Sequence, residues 1–377
     1  MLIASGTVVE NSGENSILMK AKTLLLSSKA VFALVISAAL ITSCSKGDLG
    51  YKRSSASSTT PTTSTDETAA SSLAVVTSGI KYLTLTKSTG KIISRQSNVV
   101  IENVQFANMP AVGLKITGAT NIIVRNCFFN KGAAEAISIE GSSNVTIENC
   151  LFNGVTTGVY ALSSKTIKVR NNQFVNVRQR STGGRGQFVQ FNGVTGDGNV
   201  IDNNRGENFA GQSNPEDLIS LYKSSGTAAS PISIRNNVFR GGGPSASGGG
   251  IMTGDNGGSY QVVENNTLLD PGQYGIAAAG GSNITLINNK IYARQQSFTN
   301  NPLYVWAQAG AACSNINVKG NRVNWTTKTG TKNNGWNAGN CSATSFQYPT
   351  TISLAEMGVP TQLITMLTST ELLQIRQ

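Results

Sequence analysis

The chain of 377 residues is 39% hydrophobic, 13% charged and only 6% aromatic, with 40 glycines. It can bury a large core, and this composition suits a repetitive β architecture rich in turns. The formal charge is +11 and no histidine occurs, which removes the commonest general base and metal ligand, sets aside zinc and Ser-His-Asp chemistry, and leaves no metal or cofactor expected.

In chain order, Met19, Lys20, Lys22 and Lys29 make a basic start, and the apolar run Ala30 to Ile41 follows. That run is too short to span a membrane as a helix, and Ile41-Thr42-Ser43-Cys44 resembles a bacterial lipobox. The expectation is a signal peptide over residues 1–43, with Met19 as the true start, and a lipid on the Cys44 sulfur. The protein would then be an exported, monomeric outer-membrane lipoprotein, periplasmic or surface-facing, held to the membrane through its N-terminal anchor. Residues 44–78 are rich in Ser and Thr without apolar periodicity, as a flexible tether would be.

From residue 79 a repeat takes over. Its frame is apolar, polar, Asn, then two residues and a large apolar residue: Ile101-Glu102-Asn103 to Phe106, Val124-Arg125-Asn126 to Phe129, Ile147-Glu148-Asn149 to Phe152, Val169-Arg170-Asn171 to Phe174, Ile234-Arg235-Asn236 to Phe239, and Val263-Glu264-Asn265 to Leu268. Asn203 and Asn288 mark weaker copies, and the minimum period is 22 or 23 residues. Such a period, with strand-like alternation inside it, predicts a solenoid of stacked strands. Coils about 4.8 Å apart would let this Asn column form an amide ladder. On this frame the chain resembles right-handed parallel β-helix proteins of the pectate-lyase-like group over residues 79–344. The fold class expected is therefore all-β, a right-handed parallel β-helix with a C-terminal helical cap over residues 345–377, where Leu363, Ile364, Met366, Leu367, Leu372 and Leu373 have helix-like spacing.

Cys127 and Cys150 share one repeat position. A disulfide there is geometrically possible, and unpaired stacked thiols are the preferred reading. Cys313 and Cys341 could pair in an oxidising exterior.

Function is expected where the repeat is interrupted. The intervals 171 to 203, 203 to 236, 236 to 265 and 288 to 320 are lengthened, with the extra residues at 175–186, 207–217, 240–249 and 292–302. Insertions at one point of successive coils would build a wall beside a strand face that becomes a cleft floor. Aligned on Ile137-Ser138-Ile139-Glu140, the outward floor positions are Gln190 and Asn192, Ser220 and Tyr222, Met252 and Gly254, Ala277 and Ala279, and Tyr304 and Trp306. Exposed aromatics beside amides suit sugar rings. Arg178, Arg180, Arg185, Arg240 and Arg294 make the wall basic and are expected near Lys223, an arrangement for an anionic ligand. Nucleic acid is the other polyanion, and for an exported protein an acidic polysaccharide is the expected partner.

The resemblance extends to β-helix alginate lyases and related polysaccharide lyases, in which Lys, Arg and Tyr perform β-elimination on uronates such as alginate or pectin. It implies Lys223 as base, Tyr222 as acid, and Arg185 or Arg240 neutralising the carboxylate, with Gln190, Asn192, Asp217, Asp255, Arg294, Tyr304 and Trp306 binding substrate. Two alternatives stand beside it: a non-catalytic glycan-binding or adhesin lipoprotein, and a glycoside hydrolase using carboxyls such as Asp217 and Asp255.

Overall fold

The computed structural model describes residues 85–179 and 186–376. The expected signal peptide, the Cys44 lipidation site and the tether lie outside the described residues, as do Arg180 and Arg185.

Each coil contains up to three short strands, illustrated by Glu135–Glu140, Ser143–Glu148 and Leu151–Asn153. We call these the floor, second and third strands. Among the described residues, floor and second strands join one nineteen-stranded sheet, and third strands form an eleven-stranded one. Every pairing between coils is parallel, so one inward column runs Leu114, Ile137, Val159, Val189, Ile219, Ile251, Ile276, Leu303. All eight are fully buried. The period-2 alternation thus sends alternate residues into a core that runs the length of the stack. The stack is a parallel β-helix, and its last strand pair reaches Thr350–Thr351 against Arg322 and Val323, beyond the expected boundary at residue 344.

The aromatic positions of the repeat form a ladder inside the coil. Phe106, Phe129, Phe152 and Phe174 stack with centroids 4.7 to 5.0 Å apart. At the next rung the sequence has Gly206, and Phe188 from the floor strand's approach fills the space, 5.0 Å from Phe174 and 5.1 Å from Phe239. A Cβ on Gly206 would lie 2.3 Å from the Phe188 ring, so this glycine makes room for the replacement ring.

The Asn ladder is present one residue beyond the expected column. Asn103, Asn126, Asn149, Asn171, Asn203, Asn236, Asn265 and Asn288 all adopt positive φ, from 52° to 59°. They turn the chain between second and third strands, because Asn tolerates the left-handed region. The following residues, Asn172, Asn204, Asn237, Asn266, Asn289 and Asn321, point inward. The first five each donate Nδ2 to the next Oδ1 at 2.9 to 3.1 Å, and Asn321 Nδ2 donates to Leu286 O. Cys127 and Cys150 occupy the start of this inner column as free buried thiols, and Cys313 bonds Cys341.

The tail takes the form of a strap along the flank of the stack, with a 3-10 turn at Ala355–Met357 and α-helix only over Ser369–Arg376. Lys290 Nζ donates to Glu356 O, Arg240 to Pro360 O and Thr361 O, and Gln173 Oε1 accepts from the Thr365 and Met366 N–H groups. Ile364, Leu367 and Leu372 then pack with Phe128, Leu151, Val175 and Leu85. The strap therefore runs back toward the first coils, because third strands present apolar side chains outward as well as inward.

Candidate functional site

The insertions form the wall. Glu216 in the second loop accepts hydrogen bonds from Gln179 of the first and from Ser245 and Ser247 of the third, the latter two at 2.8 and 2.6 Å. Gln273 donates to Ala246 O, and its own carbonyl accepts from Asn300 N–H at 2.8 Å. The wall is tied into one body by these bonds.

Beside it, one outward floor column runs Ser138, Tyr160, Gln190, Ser220, Met252, Ala277, Tyr304, Trp336. Asn192 and Tyr222 share the next outward column with Asp255, not Gly254, because the strand bulges after Ser220. Gly254 takes φ 62°, and a Cβ there would meet Gly280 O at 2.0 Å. The bulge rotates a carboxylate into the position where alternation alone had placed a glycine.

Asp217 is 7% exposed at the foot of the wall. Its Oδ1 accepts the Gly249 N–H at 3.0 Å and the Tyr274 hydroxyl. Burial outweighs these bonds and lifts the carboxyl to about 7, with Glu216 and Asp255 adding repulsion. Asp255 is also raised by burial. Tyr304 feels both carboxylates, which together with burial hold its hydroxyl well above the usual range. Its ring lies 5.4 Å from Tyr274 and 6.5 Å from Trp336, and Trp306 is 5.8 Å from Trp336. The result is two carboxyls of raised pKa beside an aromatic platform, of which the Trp336 ring is 45% exposed.

Lys223, within the strand Ile219–Ser225, takes φ 48° at a corner where the three preceding coils have Gly193, Ser163 and Gly141, all left-handed as well. The corner lets both Tyr222 and Lys223 face outward, with Lys223 Nζ 5.4 Å from the Tyr222 ring. Asn256 Nδ2 donates to the Tyr222 hydroxyl at 2.6 Å. Lys223 makes no ion pair with Asp255 among the described residues.

Among the described residues, Arg240 and Arg294 do not gather at Lys223 as expected. Arg240 belongs to a third strand, pairs with Glu207 at 2.8 Å and holds the strap. Arg294 pairs with Asp270 beside it. Both line a groove of about 300 Å³ on the third-strand side of the wall. The reason is register: these arginines leave the third strand before the insertion turns toward the floor. Tyr274 and Trp336 are the site residues the sequence reading passed over. Tyr274 begins its floor strand two residues before Ile276, in the row of Asp217, and Trp336 lies in the last coil, where the repeat frame is lost.

Residues 71–216 match a family described as right handed beta helix region, and the fold is a right-handed parallel β-helix. Among solved structures the chain is similar to PfbA, a surface adhesin of Streptococcus pneumoniae, at 18% identity and TM-score 0.43 over 63% of this chain and 61% of that one. It is also similar to the catalytic domain of a GH87 alpha-1,3-glucanase in complex with nigerose, at 15% identity and TM-score 0.44 over 69% and 49%. The chain thus spans about half to three fifths of the length of these structures. No curated protein matches it.

Proposed function

We propose that the floor binds a polysaccharide and hydrolyses it, with Asp217 as general acid and Asp255 as general base. The observation that carries this reading is the buried Asp217 carboxyl, held to about 7 within electrostatic reach of a second raised carboxyl. Glycoside hydrolysis calls for one carboxyl that keeps its proton near neutrality and one that does not. The Asp217 proton passes to the leaving glycosidic oxygen; water attacks the anomeric carbon and gives its proton to Asp255. Tyr304, Trp306 and Trp336 provide faces for sugar rings, and Gln190 and Asn192 provide amides for hydroxyls.

A second reading is β-elimination on a uronate, favoured by one observation: a lysine held in the left-handed region beside a tyrosine. Such backbone strain concentrates at functional positions. Lys223 would be the base and Tyr222 the acid, with the Gln190 and Asn192 amides replacing arginine at the carboxylate.

Incubating the protein with neutral and uronate polymers and following both reducing ends and ultraviolet absorbance separates the two. Hydrolysis yields reducing ends without absorbance, and Asp217→Asn and Asp255→Asn each lower the rate at least about 100-fold. Its alkaline limb falls near pH 7. Absorbance lost in Lys223→Asn, which keeps a residue suited to the corner, establishes elimination instead. Salt-sensitive binding without new ends from any polymer defeats both in favour of a binding module.

A further inference from the structure

We infer a second, non-catalytic binding groove on the third-strand side of the wall, which takes an acidic polysaccharide across Lys131 and Arg178. Two features carry it. The first is an uncompensated cationic pair. A Cβ built on Gly154 would lie 3.4 Å from Arg178 Nη2 and 3.6 Å from Lys131 Cγ, so both cationic side chains converge over a backbone with no side chain of its own. Neither makes an ion pair among the described residues. The carboxylate that lines the groove, Glu371, has Oε2 bonded at 2.8 Å to both the N–H and the hydroxyl of Thr368. Two like charges brought together repel unless an anion lies between them.

The second feature is shape. Two depressions, of about 450 and 290 Å³, both include Lys131, Gly154 and Arg178 in their walls. The cationic pair therefore sits where they meet, at the middle of an extended track and not at the bottom of a closed pocket. Such a track fits a chain molecule. Asn130 and Asn153, joined at 2.9 Å by their amides, and the apolar Phe128 and Leu367 line it. Amides for hydroxyls, apolar surface for C–H faces and a cationic pair for a carboxylate or sulfate are together the chemistry of an acidic sugar chain. The groove is separate from the Asp217 face and stands whether or not that face is catalytic.

The test uses the full chain in affinity electrophoresis through gels containing a carboxylated polymer, a sulfated polymer or neutral dextran. Lys131→Asn, which keeps a residue suited to φ 59°, is combined with Arg178→Gln. The expected result is retardation by the charged gels, weakened at least about ten-fold in the double variant and abolished at high salt. Which charged gel retards more tells carboxylate from sulfate. Equal retardation of wild type and double variant, retardation by dextran alone, or no retardation by either charged polymer at low salt would overturn the inference.

Discussion

At Asp217 the proposed chemistry and the stability of the fold share one proton. Burial raises the carboxyl from 3.8 to about 7, so between those values the folded chain holds a proton that the unfolded chain has released. Stability at this residue is greatest below about pH 4 and declines as pH rises to about 7, by up to about 4 kcal/mol. Asp217→Asn keeps an oxygen acceptor for the Gly249 N–H and the Tyr274 hydroxyl and removes the titration. Urea unfolding at pH 5 and pH 8 should therefore show a smaller fall in midpoint for the variant than for wild type, and equal falls would place the raised pKa elsewhere. In the sequence Asp217 was legible as a candidate substrate-binding or hydrolytic carboxyl, but its burial was not. Its burial depends on Tyr274, 57 positions away along the chain, and no local pattern reports a hydroxyl arriving from another coil. Asp255 was harder still, since the bulge that turns it outward breaks the alternation from which the floor was read.

Among elements, the turn between second and third strands shows what a repeat reveals and what it conceals. The eight-copy Asn column was plain in the sequence, yet it serves the left-handed turn, and the amide ladder belongs to its neighbour. The discriminating sign was present at Gly320-Asn321, where glycine replaces Asn at the turn and the following Asn remains. A position that exchanges Asn for Gly is selected for φ and not for its amide. Asn237→Ala would remove two donors and one acceptor from the ladder and leave the Asn204 N–H and the Ile201 carbonyl without their side-chain partner. The expected cost is about 2–4 kcal/mol, measured by chemical denaturation. Asn236→Gly, one residue earlier, should cost far less, and a reversal of that order would refute the division of labour. The wall loops were legible as insertions because length survives in sequence, whereas the direction of their arginines was not, since that follows from where each strand ends.

On the scale of the whole molecule, the strap is what the sequence presented least well. Its apolar spacing read as a helix closing the stack, but most of it is irregular, and its apolar residues cover the outer surface of third strands. The reason is visible at Phe128, Leu151 and Val175, whose side chains pack in one cluster with Ile364, Leu367 and Leu372. Truncation before Gly358 should uncover that surface and lower stability by on the order of 5 kcal/mol, taking about 1.5–3 kcal/mol for each large apolar side chain returned to water. A reduced denaturation midpoint with new binding of a hydrophobic dye is the expected outcome. An unchanged midpoint would make the strap a passenger.

Because the strap travels back along the coils, the described chain enters the β-helix and finishes its last helix at the same end of the rod. Leu85 and Leu372 belong to one packed cluster, while Trp306, Trp336 and Tyr348 stand in the last coils at the opposite tip. A label joined at Leu85 or Leu372 would therefore sit beside the first coils, and the aromatic side chains of the last coils would stand at the far end of the described stack from it.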